Sequence, residues 1–241
     1  MTTATLVSSR PAELRDDGWA AHNIWQHSAS VRALYTARAR DEAEEMDCLA
    51  QAAELLAPLT APGDSVIDAG CGSGYFFHSL RKRNLPLAYH GFDANADFIE
   101  IGRRELSHFG LPPQHLKALR LEDFQGSADH LLSINLLSNL DNYHRPLERL
   151  LKAARKSLIL RESIKDGATY RYVRDAYLDP GVALSVHVNA YDRQDLIGFI
   201  EAQGFAVSEV VDRRSGGQPE TVIGYPHWWS FLVATRRRRP D

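Results

Sequence analysis

The sequence predicts an α/β fold: a doubly wound, mostly parallel sheet of about seven strands that finishes in a C-terminal antiparallel hairpin. Three observations carry this expectation. Short apolar runs alternate with segments of helical period from residue 61 to residue 162. A turn built on three glycines joins the first of these runs to a helix. Two alternating segments, Phe205 to Val211 and Trp228 to Ala234, follow a capped helix near the end of the chain. The expected organisation is a single domain over residues 1–241. It divides into an N-terminal arm and helical segment (1–60), a core (61–162), a lid-like insert after the fifth strand (163–190), and the last helix with the hairpin (191–236).

Taken in order, Met1 to Asp17 are polar and include Pro11, the composition of a loose arm. From Gly18 to Tyr35, Trp19, His22, Trp25, His27 and Tyr35 stand among polar residues and suit a helical flap. Met46, Leu49, Ala53 and Leu56 repeat at helical spacing until Pro58 and Pro62-Gly63 stop the helix. Val66 and Ile67 then form a short buried strand closed by Asp68. Gly70, Gly72 and Gly74 let the chain turn sharply into the helix that begins near Tyr75. Glycines there also let a flat, charged ligand approach the peptide groups of a helix N-terminus. The second strand, Leu87 to Phe92, ends at Asp93, and Phe98, Gly102, Leu106 and Phe109 mark the next helix. The third strand is Leu116 to Leu121, followed by Glu122-Asp123. The fourth is Leu131 to Asn135 and the fifth Ser157 to Arg161, with a helix carrying Leu147, Leu150, Leu151 and Ala154 between them. In open parallel sheets ligands bind outside the carboxyl ends of the strands. Asp68, Asp93, Glu122, Asn135 and Glu162 share that rim.

The glycine spacing separates nucleotide ligands. A dinucleotide turn reads G-x-G-x-x-G and would need glycine at Tyr75; here the third glycine is Gly74. The run Asp68-Ala-Gly-Cys-Gly-Ser-Gly74 behind an apolar strand resembles the first motif of the Rossmann-like class I S-adenosylmethionine-dependent methyltransferases, and the resemblance spans roughly Gly63 to Leu160. It implies S-adenosylmethionine as cofactor and S-adenosylhomocysteine as product. It places Gly70, Gly72 and Gly74 against the amino-acid end of the cofactor, and Asp93, with Ala94 beside it, at the ribose hydroxyls 19 residues after Gly74. Glu122 or Asp123 would accept from the adenine amino group, with Asp68 and Asn135 on the same rim. The implied activity is transfer of a methyl group to an oxygen or nitrogen of a small molecule: a natural product, a glycan precursor or a metabolite. An NAD(P)-dependent oxidoreductase is disfavoured by Gly74, and a cofactor-binding protein without methyl transfer is disfavoured by the insert.

That insert, Ser163 to Ala190, runs for 28 residues without a periodic stripe, longer than the connection needs, and is rich in aromatic and cationic side chains. Tyr170, Arg171 and Arg174 are candidate substrate contacts; spaced three apart, the two arginines would share a helix face suited to an anionic group. His187 and Asn189 would share one face by alternation and, with Tyr191, line an acceptor pocket. His187 is one candidate base. His144 is the other, since it follows the fourth strand, where the resembled family often places base or substrate residues, and its ordinary pKa leaves it able to be neutral near pH 7. The aromatic run Tyr225-Pro-His-Trp-Trp229 suits core packing and a ligand wall equally.

Composition sets outer bounds. A net charge of −3 over 241 residues gives no overall pull toward nucleic acid or an anionic membrane, and Arg236 to Arg239 read as a solvated tail. The two cysteines, Cys48 and Cys71, have no disulfide or zinc spacing, and the ten histidines are scattered, so no metal is expected. Without a secretory start or an apolar run near 18 residues, a soluble cytoplasmic protein acting on a small-molecule substrate is expected. Nothing in the residues speaks to oligomeric state.

Overall fold

The structure, a computed structural model, describes residues 5–8, 25, 28–174, 184–222 and 224–237. The first element, β1 (Thr5–Ser8), pairs antiparallel with residues 124–127. Helix α1 (Ala29–Ala39) starts where the Ser28 hydroxyl accepts the Val31 N–H, and α2 (Asp47–Leu56) buries Leu49, Ala52, Ala53 and Leu56. Strand β2 (Ser65–Ala69) is buried at every position and leads through the glycine turn into α3 (Phe76–Lys82). Then come β3 (Ala88–Asp93), α4 (Ala96–Ser107) capped by the Asn95 side chain, β4 (Leu116–Ala118), β5 (Phe124–Ile134), α5 (His144–Ala153) and β6 (Ala154–Lys165). Beyond β6, β7 (Tyr172–Arg174) and β8 (Ser185–His187) form a short antiparallel pair, followed by β9 (Tyr191–Asp192) and α6 (Arg193–Ala202). The chain finishes with β10 (Phe205–Val211), the paired β11 (Glu220–Val222) and β12 (Tyr225–His227), and β13 (Trp229–Arg236).

The main path of the sheet runs β4-β3-β2-β5-β6-β13-β10. It is parallel from β4 to β6, and β13 lies antiparallel to both of its neighbours. Neighbouring residues on one strand face opposite layers. Ile67, Leu131, Leu158 and Leu232 therefore pack under α5 and α6 with Leu147, Leu151, Leu196 and Ile200. Val66, Leu132, Ile159 and Phe231 pack on the other side with Leu49, Leu56, Leu80 and Ile99 from α2, α3 and α4. Burial on both faces is why the strands read as unbroken apolar runs.

Several expectations are corrected. Part of the arm is a strand, β1, because residues 124–127 offer it a ladder partner; of the expected flap, α1 begins only at Ala29, and residues 9–24 and 26–27, with Trp19, His22 and His27, lie outside the described residues. The third strand is shorter than expected, ending at Ala118, while the fourth and fifth extend to residues 124–134 and 154–165. The insert thus loses its first three residues to β6, and its Tyr172–Arg174 segment is a strand, so Arg171 and Arg174 stand on opposite faces instead of sharing a helix face. Residues 175–183 of the insert and the tail from residue 238 lie outside the described residues. Arg236 is not a solvated tail residue: its guanidinium donates to the carbonyls of Leu151 and Ala154 and lies 4.5 Å over the Phe205 ring.

The fourth strand begins earlier than its apolar run suggests, because Asp129 and His130 are polar yet buried in it. Asp129 Oδ2 accepts from Ser65 N at 3.0 Å, Ser65 Oγ at 2.9 Å and Arg155 Nη2 at 3.3 Å. His130 bridges Ser157 Oγ at 2.8 Å and Asp64 Oδ2 at 3.0 Å, and Lys156 pairs with the other oxygen of Asp64. This clasp joins β2, β5 and β6 at their amino ends. Burial alone would raise the Asp129 carboxyl, but Arg155 and the Ser65 donors outweigh it and hold Asp129 well below the ordinary carboxylate range. Asp129→Asn should cost about 3 kcal/mol in urea unfolding at pH 7, the scale for breaking a buried pair from one side. Because the folded-state pKa lies below the unfolded value of about 3.9, Asp129 contributes stability above that pH and loses it as the pH falls toward the depressed value. The gap between wild type and variant should be flat above about pH 5 and shrink below about pH 4; a gap independent of pH would remove the ion pair as its cause.

Candidate active site

The carboxyl ends of the strands open onto a cavity of about 830 Å³, within the range of small-molecule sites. On one side its wall comes from Asp68, Gly70, Cys71, Asp93, Ala94, Leu121, Glu122 and Asn135, all at or just past the ends of β2 to β5. On the other it comes from α2, from β8 with His187, and from Arg161, His227 and Trp229.

The glycine turn is locked from behind. Gly70, Gly72 and Gly74 all have positive φ, which only glycine adopts without strain. The Gly72 N–H donates to Asp93 Oδ2 at 2.8 Å, and Asp93 Oδ1 accepts from Asn95 N at 2.8 Å, so one carboxylate ties the turn to the end of β3. A Cβ at Gly72 would lie 2.2 Å from the Tyr35 ring, which itself stacks on Phe98 at 4.3 Å. The close approach at Gly72 is therefore made by α1. Gly70 and Cys71 face the cavity, whereas Gly72 and Gly74 pack behind it, Gly74 against Leu116.

Burial raises Asp68 to about 7, against a hydrogen bond from Tyr89 Oη at 2.9 Å and with the help of the Asp93 charge. Burial likewise raises Asp93, against the Asn95 and Gly72 N–H groups. Each carboxylate oxygen can accept two hydrogen bonds, so Asp93 keeps capacity for a ligand hydroxyl. Glu122 is exposed on the cavity rim, 3.5 Å from Arg120, while Asp123 is buried behind it. An acid near each expected position fits a cofactor with a cationic amino-acid end, a ribose and an amino-purine.

Glu162 was placed on the rim but lies underneath it, fully buried. It accepts from the N–H groups of Leu136 (2.9 Å), Leu137 (2.8 Å) and Ser138 (2.9 Å) and from Ser138 Oγ (2.6 Å). Burial pushes its pKa up to about 7 against these four bonds. They hold the loop after β5, where Asn135 takes a φ of 57° and accepts from Arg161 Nη1.

Of the expected acceptor residues, His187 lines the cavity, 4.6 Å from the Tyr172 ring. His144 does not: it is exposed at the start of α5, stacked on Tyr143 at 4.1 Å and edge-on to Phe199 at 5.5 Å, because α5 packs toward α6. Asn189 and Tyr191 are buried anchors. Asn189 donates to Leu140 O at 2.7 Å and accepts from Arg171 N at 3.0 Å, and the Tyr191 hydroxyl donates to Leu137 O. Tyr170, Arg171 and Arg174 are exposed and outside the cavity wall. The sequence reading missed Arg161, which pairs with Asp212 at 2.8 Å in full burial and lies 4.5 Å over the Trp229 ring. A charged residue ending an apolar strand was the available signal, since such a charge is tolerated only when paired. Among the described residues no cluster of three His, Cys, Asp or Glu side chains is placed to hold a metal ion, and no helix is long and apolar enough to cross a membrane.

Glu162→Gln keeps the volume but turns an amide NH₂ toward backbone donors. It should cost about 2 kcal/mol of stability and speed hydrogen exchange at the Leu136 to Ser138 amides. Unchanged exchange there would mean that the loop is held by something other than Glu162.

Residues 67–159 match the family model described as a methyltransferase domain. No curated protein sequence matches the chain. Among solved structures, the chain is similar to a magnesium protoporphyrin IX methyltransferase from Synechocystis PCC 6803 with bound S-adenosylmethionine, at a TM-score of 0.60 and 16% identity over 95% of this chain and 100% of that one. It is also similar to the N-terminal domain of EvdMO1 in the presence of S-adenosylhomocysteine and D-fucose (TM-score 0.55, 17% identity, 88% and 99% covered). An O-methyltransferase family protein from Burkholderia thailandensis matches with a TM-score of 0.57 and 14% identity, over 95% of this chain and 65% of that one. The acidic rim, the locked glycine turn and the strand order with its antiparallel β13 agree with the match of residues 67–159 to a methyltransferase-domain model: the chain has the fold of the class I S-adenosylmethionine-dependent methyltransferases.

Proposed function

We propose that this protein transfers the methyl group of S-adenosylmethionine to an oxygen or nitrogen of a small molecule. The observation that carries the reading is the Asp93 carboxylate, which closes the glycine turn and also lines the cavity, with Asp68 and Glu122 on the same rim. When bound, the cofactor supplies a methyl group already activated by its sulfonium charge. What remains for the chain is to bind, orient and dehydrate. Asp68 and the turn at Gly70 face the cationic amino-acid end. Asp93 accepts from the ribose hydroxyls, and Leu121 and Glu122 receive the adenine. The wall of α2, β8, β12 and β13 holds the acceptor and keeps water away from the reacting atoms. The small-molecule reading is supported by the aromatic lining of that wall, Trp25, Tyr172, His187 and Trp229.

S-adenosylhomocysteine should raise the melting temperature and NAD at the same concentration should not, while Asp93→Ala should weaken S-adenosylhomocysteine binding by about 1.5 to 3 kcal/mol. Stabilisation by NAD alone would replace this reading with the oxidoreductase one.

Asp68 makes binding depend on pH. Its carboxyl sits at about 7 in the ligand-free site, and a ligand ammonium beside it favours the ionised form. Binding should therefore release a proton near neutrality, and affinity should rise between pH 6 and pH 8. Calorimetry in two buffers of different ionisation enthalpy measures the release, which Asp68→Asn should abolish. Equal proton release in the variant would place the titrating group elsewhere.

A further inference from the structure

Among the described residues, His227 is a buried member of the cavity wall whose ring nitrogens have no assigned work. The residue is 4% exposed and lines the cavity, and neither ring nitrogen has a hydrogen-bond partner among the described residues. Buried polar atoms are nearly always paired, so an orphaned imidazole in a cavity wall marks the place of a ligand group. The ring is also held in one orientation. It stacks on Trp229 with centroids 4.5 Å apart and planes 1° from parallel, and Trp229 in turn lies under the Arg161 guanidinium, which Asp212 and Asn135 fix from β6. The other charged groups nearby are Glu220, opposite His227 in the β11–β12 register, and its partner Arg214 at 2.6 Å.

We propose that His227 is the catalytic residue that receives the proton of the acceptor, and that the acceptor is a phenolic hydroxyl on a flat aromatic ring. This rests on the methyl-transfer reading above. The flat shape follows from the aromatic side chains that line the cavity together with His227, Trp25, Tyr172 and Trp229, with Val186 and Val222 among them. The hydroxyl follows from the orphaned acceptor nitrogen of the neutral ring, which can take the hydrogen of an O–H. Burial, followed by the Arg161 charge, lowers the ring to about 4, so it is neutral across the physiological range and a lone pair is free. So weak a base suits a phenol, of pKa about 10, better than an aliphatic alcohol several units higher. In the step, the phenol O–H donates to a His227 ring nitrogen while the phenol oxygen forms a bond to the methyl carbon. The carbon–sulfur bond breaks with its electron pair going to sulfur, and the phenol proton passes to the imidazole and then to solvent as the methyl ether leaves. The positive charge lost at sulfur reappears on the ring, so the buried site carries the same net charge before and after.

The experiment uses protein labelled with ¹⁵N in its histidine rings, saturated with S-adenosylhomocysteine and titrated with phenol or with toluene. His227→Phe, which keeps the stack on Trp229 but has no nitrogens, assigns the resonances; His227→Asn takes its place if that variant does not fold. In the wild type a His227 ring nitrogen should shift with phenol and not with toluene. Phenol affinity should fall at least tenfold in the variant, while toluene affinity and S-adenosylhomocysteine affinity stay within threefold. Phenol binding that leaves the ring nitrogens unshifted, or is equally tight in the variant, overturns the role of His227 and leaves the cofactor reading intact. Failure of the wild type to bind S-adenosylhomocysteine overturns the methyl-transfer reading and this inference with it.

Discussion

The buried Glu162 carboxylate and the four donors that surround it are the constraint on which the site depends. Its backbone partners, Leu136 to Ser138, would be a loop of unpaired N–H groups above the end of β6, and a carboxylate is the one neutral-volume side chain that can accept all of them at once. Once that loop is fixed, its outward carbonyls become anchors. Ser138 O accepts from Asn189 N, Leu140 O from Asn189 Nδ2, and Leu137 O from the Tyr191 hydroxyl. The return from β8 to α6 is thereby attached to the same loop that contributes Asn135, Leu136 and Asn139 to the cavity. One carboxylate near the end of β6 sets the wall of the site and the docking of the segment whose β8 lines it.

Charge is separated along the cavity. Asp68 is buried and Asp93 half-buried, and the Asp93 charge bears on Asp68, so the ligand-free site holds two carboxyl groups under electrostatic stress. A cationic ligand relieves that stress, and a neutral one does not. At the other end the only buried cation of the wall among the described residues, Arg161, is neutralised by Asp212 and lies over aromatic rings. That end of the cavity is thus close to neutral, and its polar capacity is concentrated in few groups.

Part of this was legible in residues 64–93. An apolar strand, three glycines and an acid at the end of the next strand are neighbours in sequence because they are neighbours in space, and a turn must be written in consecutive residues. The same locality made the leucines of α5 readable as its buried stripe. His144 shows the limit. A loop after the fourth strand is a sound place to expect a reactive histidine, yet the helix that begins at His144 turns its ring onto Phe199.

By itself, the sequence determined the order of strands and helices, the glycine turn and the acids at the strand ends, because these follow from local periodicity, backbone freedom and chain direction. Only the tertiary structure decided which side of the turn Gly72 presents to Tyr35, that Glu162 supports the rim from below, and that Arg161, held by Asp212, meets His227 and Trp229 at the cavity wall. Those residues are up to 68 positions apart in the chain. Their pairing depends on β13 inserting antiparallel between β6 and β10, a long-range contact that no local pattern encodes.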